Sequence, residues 1–372
     1  MRVALIGCGF VADFYMQSLP VYPALELAGV FDRDLERARR FAAFHGISTI
    51  YASLDELLAD ASLGLVINLT NPDSHYAVSK AALMAGKHVY SEKPFAMQMD
   101  EARELVALAE AQGLQIASAP CSVLGETAQG LWKALRERRV GEVRLVYAEM
   151  DDGMVFLAPY KKWQSASGAP WPYKDEFEVG CTLEHAGYYV NWLTAFFGPA
   201  LSVTAFSSCL YPDKGTPTDR TAPDFSVACI RFEHGVTARL TCSIVAPHDQ
   251  RLRFFGNEGE LFTHYSWNYR QAVKTRRMLN IRRRQLFTPW SRTVPLPDSG
   301  IAHPRGSHPM HFCRGPAEMV AALSEGRRSR LPADYCLHNN EIVLAIQHAL
   351  EDSRTVALTT TFAPIEPMPW AQ

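Results

Sequence analysis

Long apolar runs are missing from this 372-residue chain. No stretch approaches the ~18 apolar residues that a membrane-spanning helix needs, so no membrane partner is expected. Net charge is equally scarce. The formal charge is −2, with basic and acidic residues almost balanced. That balance predicts neither a nucleic-acid binder nor a membrane-surface protein. The eight cysteines show no Cys-x-x-Cys and no metal-ligand spacing. Eight in a chain this long do not make a disulfide scaffold, and no metal is expected. Room for a secretion signal is also lacking, because an apolar strand opens at Arg2 and a glycine turn follows at once. Internal repeats and low-complexity tracts are absent from the sequence. The expectation is a cytoplasmic protein with reduced thiols. Its length suggests two domains, since single cores rarely grow past ~250–300 residues.

The amino-terminal third carries the clearest local signals. Val3-Ala4-Leu5-Ile6 reads as a strand buried on both faces. Gly7-Cys8-Gly9-Phe10-Val11-Ala12 then gives G-x-G-x-x-A at the start of a helix. The first glycine permits a tight turn, the second lets backbone approach a pyrophosphate, and the small Ala12 lets helix and strand pack closely. Gly7, Gly9, Phe10 and Val11 are therefore candidate dinucleotide contacts. A second strand, from Leu25 to Phe31, ends in Asp32, 23 residues after Gly9. That is near the spacing expected of an acid that holds ribose hydroxyls. Asp32 would repel the 2′-phosphate of NADP, whereas Arg33 beside it would attract one. The reading favours NAD and leaves NADP open. Asp32 is alternatively a helix cap, because Asp34 and Glu36 follow in a polar helix start.

Strands and helices go on alternating, which argues for a parallel sheet. Ser53-Leu54-Asp55-Glu56 has capping-box spacing. A buried strand over residues 65–69 runs into Thr70-Asn71-Pro72. Asn68, Thr70 and Asn71 are candidate cofactor contacts or a simple turn cluster. Asp100 is expected to cap a helix reaching Gln112. A short strand from His88 leads into Glu92-Lys93-Pro94. A lysine at the carboxyl end of a buried strand is costly unless it has partners or a job. Ligands bind at the carboxyl ends of strands in doubly wound sheets, so Lys93 is placed where nicotinamide and substrate would meet.

Together these residues resemble the glucose–fructose oxidoreductase/inositol dehydrogenase/MocA family. The matched pieces are the Gly7–Ala12 turn, Asp32, Thr70-Asn71-Pro72 with His75, and Glu92-Lys93-Pro94. The resemblance covers residues 1–120 well and the rest loosely. It implies a Rossmann dinucleotide-binding domain over 1–120. It implies an α+β domain with a large, mostly antiparallel open sheet over 121–372, the active site between them, and a homodimer or homotetramer formed through that sheet. His75 and Glu92 join the candidate cofactor residues. The implied reaction moves a hydride between NAD, or NADP, and a secondary alcohol carbon of a sugar, sugar acid or cyclitol. Lys93 would bind the reacting oxygen. The family's Asp-x-Gly-x-His helix corresponds here to Glu184-His185-Ala186-Gly187-Tyr188-Tyr189. Aligning on Gly187 puts His185 at the aspartate position and Tyr189 at the histidine position. The acid–base histidine is thus absent, and tyrosine there resembles the glucose–fructose oxidoreductase branch.

His185 and Tyr189 are four apart and would share a helix face. Lys93 nearby would lower the Tyr189 pKa, making a phenol–lysine acid–base pair. A one-residue slip would substitute Glu184 and Tyr188, and core packing is an alternative for each aromatic. Upstream, Tyr160, Lys162, Trp163 and Trp171 mix aromatics with lysine ahead of this helix. They read as a substrate loop, suited to an acidic sugar, or as an ordinary proline-stiffened surface loop.

The remainder reads as strands at 201–207, 225–232, 236–244 and 251–255, two amphipathic helices at 312–324 and 337–350, and a closing strand near 355–361. Residues 274–284 hold six cations and read as a solvated insertion or a phosphate contact. Two further functions fit the same residues. One is glycoside modification through transient NAD-dependent oxidation without net redox change. The other is a non-catalytic dinucleotide-sensing regulator, against which the presence of Lys93 argues.

Overall fold

The computed structural model describes residues 1–303 and 306–372 and divides into two compact units. The first gathers Met1–Cys121, Pro159–Val179 and Ala302–Asn340. The second gathers Ser122–Ala158, Gly180–Ile301 and Glu341–Gln372. Among the described residues, no helix is long and apolar enough to cross a membrane, and no cluster of His, Cys, Asp and Glu could hold a metal.

In the first unit, β1 (Arg2–Ile6), β2 (Glu26–Phe31), β3 (Leu65–Asn68), β4 (His88–Ser91) and β5 (Ile116–Ser118) form a parallel sheet ordered β2-β1-β3-β4-β5. Every residue of β3 is buried, as a strand covered on both faces requires. The intervening helices are α1 (Ala12–Ser18), α2 (Leu35–His45), α3 (Leu54–Ala59), α4 (Pro72–Met84) and α5 (Met99–Ala111). At α3 the Ser53 cap is formed, and Glu56 reaches back one residue further than a regular capping box. Ser53 Oγ accepts from the Glu56 N–H at 3.0 Å, and Glu56 Oε2 accepts from the Ala52 N–H at 2.6 Å. Asp34 caps α2 by accepting from the Arg37 N–H, so the helix-cap alternative for Asp32 falls to its neighbour. Asp100 is not the cap of α5. Gln98 holds that position, and Asp100 lies in the first turn, where its charge suits the helix dipole. The strand order reverses between β1 and β3, which puts a ligand crevice outside their carboxyl ends.

The second unit is built on a mostly antiparallel sheet. Its strands are β6 (Val143–Asp151), β7 (Ala200–Ser208), β8 (Phe225–Phe232), β9 (Thr237–Ser243), β10 (Leu252–Gly256), β11 (Gly259–Thr263), β12 (Val273–Ile281), β13 (Arg284–Phe287), β14 (Arg292–Val294) and β15 (Thr355–Ala357). The order is β13-β12-β11-β10-β6-β9-β8-β7-β15, with β14 also on β12. Only the β6–β9 pair among these is parallel. Along β8, Ser226, Ala228, Ile230 and Phe232 are buried while Cys229 and Arg231 are exposed, which is the alternation of a sheet with one covered face. On the covered face Phe196 and Phe197, from the helix Gly187–Phe197, meet Phe254 with ring centroids 6.0 and 6.1 Å apart.

The basic run 274–284 is solvated over much of its length, as expected, but it is regular structure rather than a loop. It is most of β12 and the turn into β13. Arg276 Nε donates to Glu260 Oε2 at 3.0 Å, and its guanidinium lies 5.3 Å from the Phe262 ring. Glu260 is fully buried, and Arg276 offsets its charge together with Arg253, whose Nη1 lies 3.9 Å from Glu260 Oε1.

Candidate active site

The glycine turn meets the steric demands of a dinucleotide cradle. Gly7 has φ +99°, and a Cβ there would sit 2.5 Å from the Leu69 carbonyl oxygen. No other residue fits. A Cβ built on Gly9, by contrast, meets nothing within 4 Å. The space above Gly9 is where a pyrophosphate would come close to the backbone, beside the N–H groups that open α1. Gly9, Phe10 and Val11 are all partly exposed. Asp32 is buried and already holds the turn. Its Oδ2 accepts from the Cys8 N–H at 2.9 Å and its Oδ1 from the Asp34 N–H at 2.8 Å. A carboxylate has about four acceptor sites, so capacity for ribose hydroxyls remains. The cation beside it is Arg37, with Nη1 3.7 Å from Asp32 Oδ2, whereas Arg33 is exposed. Sequence reading singled out Arg33 because it is adjacent; the turn of α2 brings in Arg37 instead.

The residues ending β3 and β4 divide into a rim and an inner brace. Asn68 and His75 were expected to contact cofactor, but both are fully buried. Asn68 Nδ2 donates to the His75 carbonyl and to Ser79 Oγ, while its Oδ1 accepts from Thr70 N–H and Oγ1–H. The His75 ring lies between the Pro94 carbonyl (Nδ1, 2.8 Å) and the Thr70 carbonyl (Nε2, 2.9 Å). Burial pushes its pKa down despite those two carbonyls. These two side chains tie the Thr70 turn to the Lys93-Pro94 turn. Glu92 is likewise buried, accepting from Tyr15 Oη–H at 2.8 Å and from the Lys93 N–H at 3.1 Å. Thr70, Asn71 and Lys93 are left partly exposed on the rim. Lys93 therefore projects from a turn held rigidly by Glu92, Tyr15 and His75.

The aromatic–lysine loop belongs to the first unit. Trp163 and Trp171 meet edge-on with ring centroids 5.0 Å apart, and the Trp171 backbone N–H donates to the Trp163 carbonyl. Ser167 donates from both N–H (3.1 Å) and Oγ (2.8 Å) to Asp13 Oδ2, at the start of α1. Burial opposes the Asp13 charge, but bonds from serines and His45 hold its carboxyl below the usual range. The loop is thus pinned next to the glycine cradle. Lys162 and Trp163 are exposed and Trp171 half-buried, so they remain available to a ligand. Tyr160 is not: it is 4 % exposed and packed among Tyr173, Phe177 and Trp171. Its expected substrate role is replaced by core packing.

In the second unit, Thr182–Ala186 form a π-helical turn that runs into the helix Gly187–Phe197. The wide turn alters the facing that regular helix spacing predicts. His185 and Tyr188 both lie against Trp267, at 5.8 and 5.6 Å. Tyr189 turns away into the core. It is fully buried, packs on Trp192 at 5.6 Å and donates its hydroxyl to the Gln250 carbonyl. Burial pushes its pKa up; a bond from Ser266 opposes this, Asp249 and Glu149 add to it, and the net direction is upward. The expected lowering is reversed, and the phenol is not a proton relay. Tyr189→Phe should cost about 1–2 kcal/mol of stability, the scale of a buried hydrogen bond removed on one side. It should leave the pH–rate profile in place. A ~10²-fold fall in turnover at unchanged stability would instead restore the relay role.

A parallel sheet with this cradle, joined to a large mixed sheet, defines a Rossmann-type dinucleotide-binding protein. A model of the oxidoreductase family with an NAD-binding Rossmann fold matches residues 1–119, and one of the GFO/IDH/MocA carboxyl-terminal domain matches residues 129–262. The chain belongs to the Gfo/Idh/MocA oxidoreductase family, with an NAD-binding amino-terminal domain. Among curated relatives, an uncharacterised oxidoreductase of Synechocystis is 27% identical, over 70% of this chain and 71% of its own length. The trans-1,2-dihydrobenzene-1,2-diol dehydrogenase of Bos taurus is 26% identical, over 70% of this chain and 72% of its own. Among solved structures, the aldose–aldose oxidoreductase of Caulobacter crescentus superposes with a TM-score of 0.74 at 19% identity, covering 96% of this chain and 99% of its own.

Proposed function

We propose that this chain is an NAD(P)-dependent dehydrogenase that moves a hydride between the nicotinamide and a secondary alcohol carbon of a sugar, sugar acid or cyclitol. The observation that carries this reading is Lys93. It stands half-exposed at the carboxyl end of β4, on a turn braced by the buried Glu92, Tyr15 and His75. In the oxidative direction the alcohol carbon gives its hydride to NAD⁺ and the hydroxyl proton leaves to a base. Products are ketone, NADH and a proton. An ammonium at the alcohol oxygen stabilises the alkoxide character that develops as the hydride departs. His185, beside Trp267 on the π-helical turn, is the second residue proposed for proton transfer. Bound NAD supplies the hydride acceptor, and Gly7, Gly9 and Asp32 would hold its pyrophosphate and ribose. The proposed setting is cytoplasmic, with a dimer or tetramer formed through the open sheet.

Absorbance of reduced cofactor tests the reading. NAD and NADP are each offered with pyranoses, sugar acids, inositols and trans-1,2-dihydrobenzene-1,2-diol. Steady NADH or NADPH production with a ring alcohol is the expected result. No reduction with any of them, from protein that binds NADH, would overturn it. Arg37 against Asp32 makes NADP a serious competitor for NAD, and the same assay ranks the two.

A further inference from the structure

The second unit carries a group of donors and rings that its own fold leaves incomplete. Trp267 is half-buried, and its indole N–H is closed to solvent without an acceptor among the described residues. Gln250 is 1 % exposed, and its Nε2 likewise has no acceptor among the described residues. The two are linked through Ser266, whose N–H and Oγ–H donate to Gln250 Oε1 at 3.4 and 3.2 Å. An unmet buried donor costs about 1–3 kcal/mol, and native folds keep few of them. The Trp267 N–H is such a donor on a half-buried side chain, and it marks a place where an oxygen is missing.

The surroundings say what kind of molecule brings that oxygen. Trp267 is ringed by Tyr265 at 5.9 Å, Tyr188 at 5.6 Å and His185 at 5.8 Å. The Tyr188 and Tyr265 planes stand at 63° and 70° to the indole, edge-on rather than stacked over it. Sites of this kind are mainly apolar, with a few placed polar groups that fix orientation. Amphipathic rings beside hydrogen-bond donors match a molecule that is apolar on its faces and oxygen-rich at its edge. That description fits a polyhydroxylated ring, whose C–H face lies on an aromatic surface while its hydroxyls accept and donate at the rim.

We propose that Trp267 is a specificity-determining residue of this enzyme, giving the ring face of a pyranose or cyclitol substrate its platform and donating Nε1–H to one of its hydroxyl oxygens. This rests on the dehydrogenase reading above and adds the part of the substrate that is recognised. His185 lies on the same platform, so a ring held there presents its hydroxyls to the residue proposed for proton transfer.

Ligand-observed saturation-transfer NMR on the full chain with NAD bound tests the assignment, with methyl β-D-glucopyranoside and myo-inositol as probes. At least one probe should receive saturation from the wild-type protein. Trp267→Ala should weaken its binding at least ~10-fold, the low end of what a lost pocket contact costs. Trp267→Phe keeps a six-membered aromatic ring and removes the donor with the pyrrole part of the indole. It should weaken binding ~3- to 10-fold, the effect of one hydrogen bond, with NADH affinity unchanged. Undiminished probe binding in both variants overturns the proposal, and so does wild-type protein that binds neither probe. Probe binding that depends on Trp267, without turnover of any ring alcohol, leaves the platform standing and sinks the dehydrogenase reading alone.

Discussion

Lys93→Ala should bind NADH normally and turn over at least ~10²-fold more slowly than wild type, the usual scale for an acid–base group. The turn that carries this half-exposed lysine has supports other than its ammonium. Support comes from Glu92, held by Tyr15 Oη–H, and from His75, which reaches the Pro94 carbonyl. Removing the ammonium therefore leaves the braces in place. Melting temperature should move little, since partly exposed substitutions away from such features usually stay within ~0.5 kcal/mol. Lys93→Met, which keeps most of the aliphatic stem, should be as inactive as the alanine variant. If either retains near-normal turnover, Lys93 has no part in the chemistry. If turnover falls together with NADH affinity and stability, the lysine is structural.

The second large effect separates two glycines that look equivalent on paper. Gly7→Ala should destabilise the protein by about 2–4 kcal/mol, because a side chain at positive φ costs roughly 1–3 kcal/mol and the new methyl must also displace backbone. The displaced atom is the Leu69 carbonyl oxygen, 2.5 Å from the added carbon. That carbonyl follows β3, so relief of the clash disturbs the β1–β3 pairing. Gly9→Ala has the opposite character. Its methyl meets nothing within 4 Å, so folding should be unharmed or slightly helped. The methyl does occupy the space above the turn, and NADH affinity should fall at least ~10-fold, a loss of about 1.4 kcal/mol. Urea unfolding and NADH fluorescence titration read the two quantities separately. A Gly7→Ala protein within ~0.5 kcal/mol of wild type would show that the turn relaxes freely. Unchanged NADH affinity in Gly9→Ala would place the pyrophosphate elsewhere.

Much of the first unit was legible because its signals are local. The cap at Ser53 with Glu56, the glycine turn and the buried run of β3 each state their structure within about ten residues. The Lys93 turn was equally visible. What escaped the reading depended on contacts between distant residues. Asn68 and His75 are polar residues at a strand end, and only the tertiary fold shows that their atoms are consumed in bracing two turns. The Tyr189 error came from assuming regular helical spacing. A π-helical turn at Thr182–Ala186 leaves the residue composition of a helix intact while changing which side chain shares a face with His185. Trp267 and Gln250 carry no local mark. Gln250 precedes β10 and Trp267 follows β11, with Ser266 bonded to Gln250 Oε1, and their unmet donors exist only in three dimensions.

The route of the chain through the nucleotide-binding unit limits how that unit can be cut. Arg314 Nε donates to Tyr22 Oη at 3.0 Å, Gly315 lies so close to Tyr90 that a Cβ there would be 2.3 Å from the phenol oxygen, and Phe312 stacks on Phe14 at 5.2 Å. Those partners come from residues far beyond the end of the parallel sheet. Protein ending near residue 120 would leave Tyr90, Tyr22 and Phe14 uncovered, together with the Asp13 carboxylate that Ser167 satisfies. Nucleotide binding is in this sense discontinuously encoded: the ribosome completes the cradle's backing only when it has translated past Asn340.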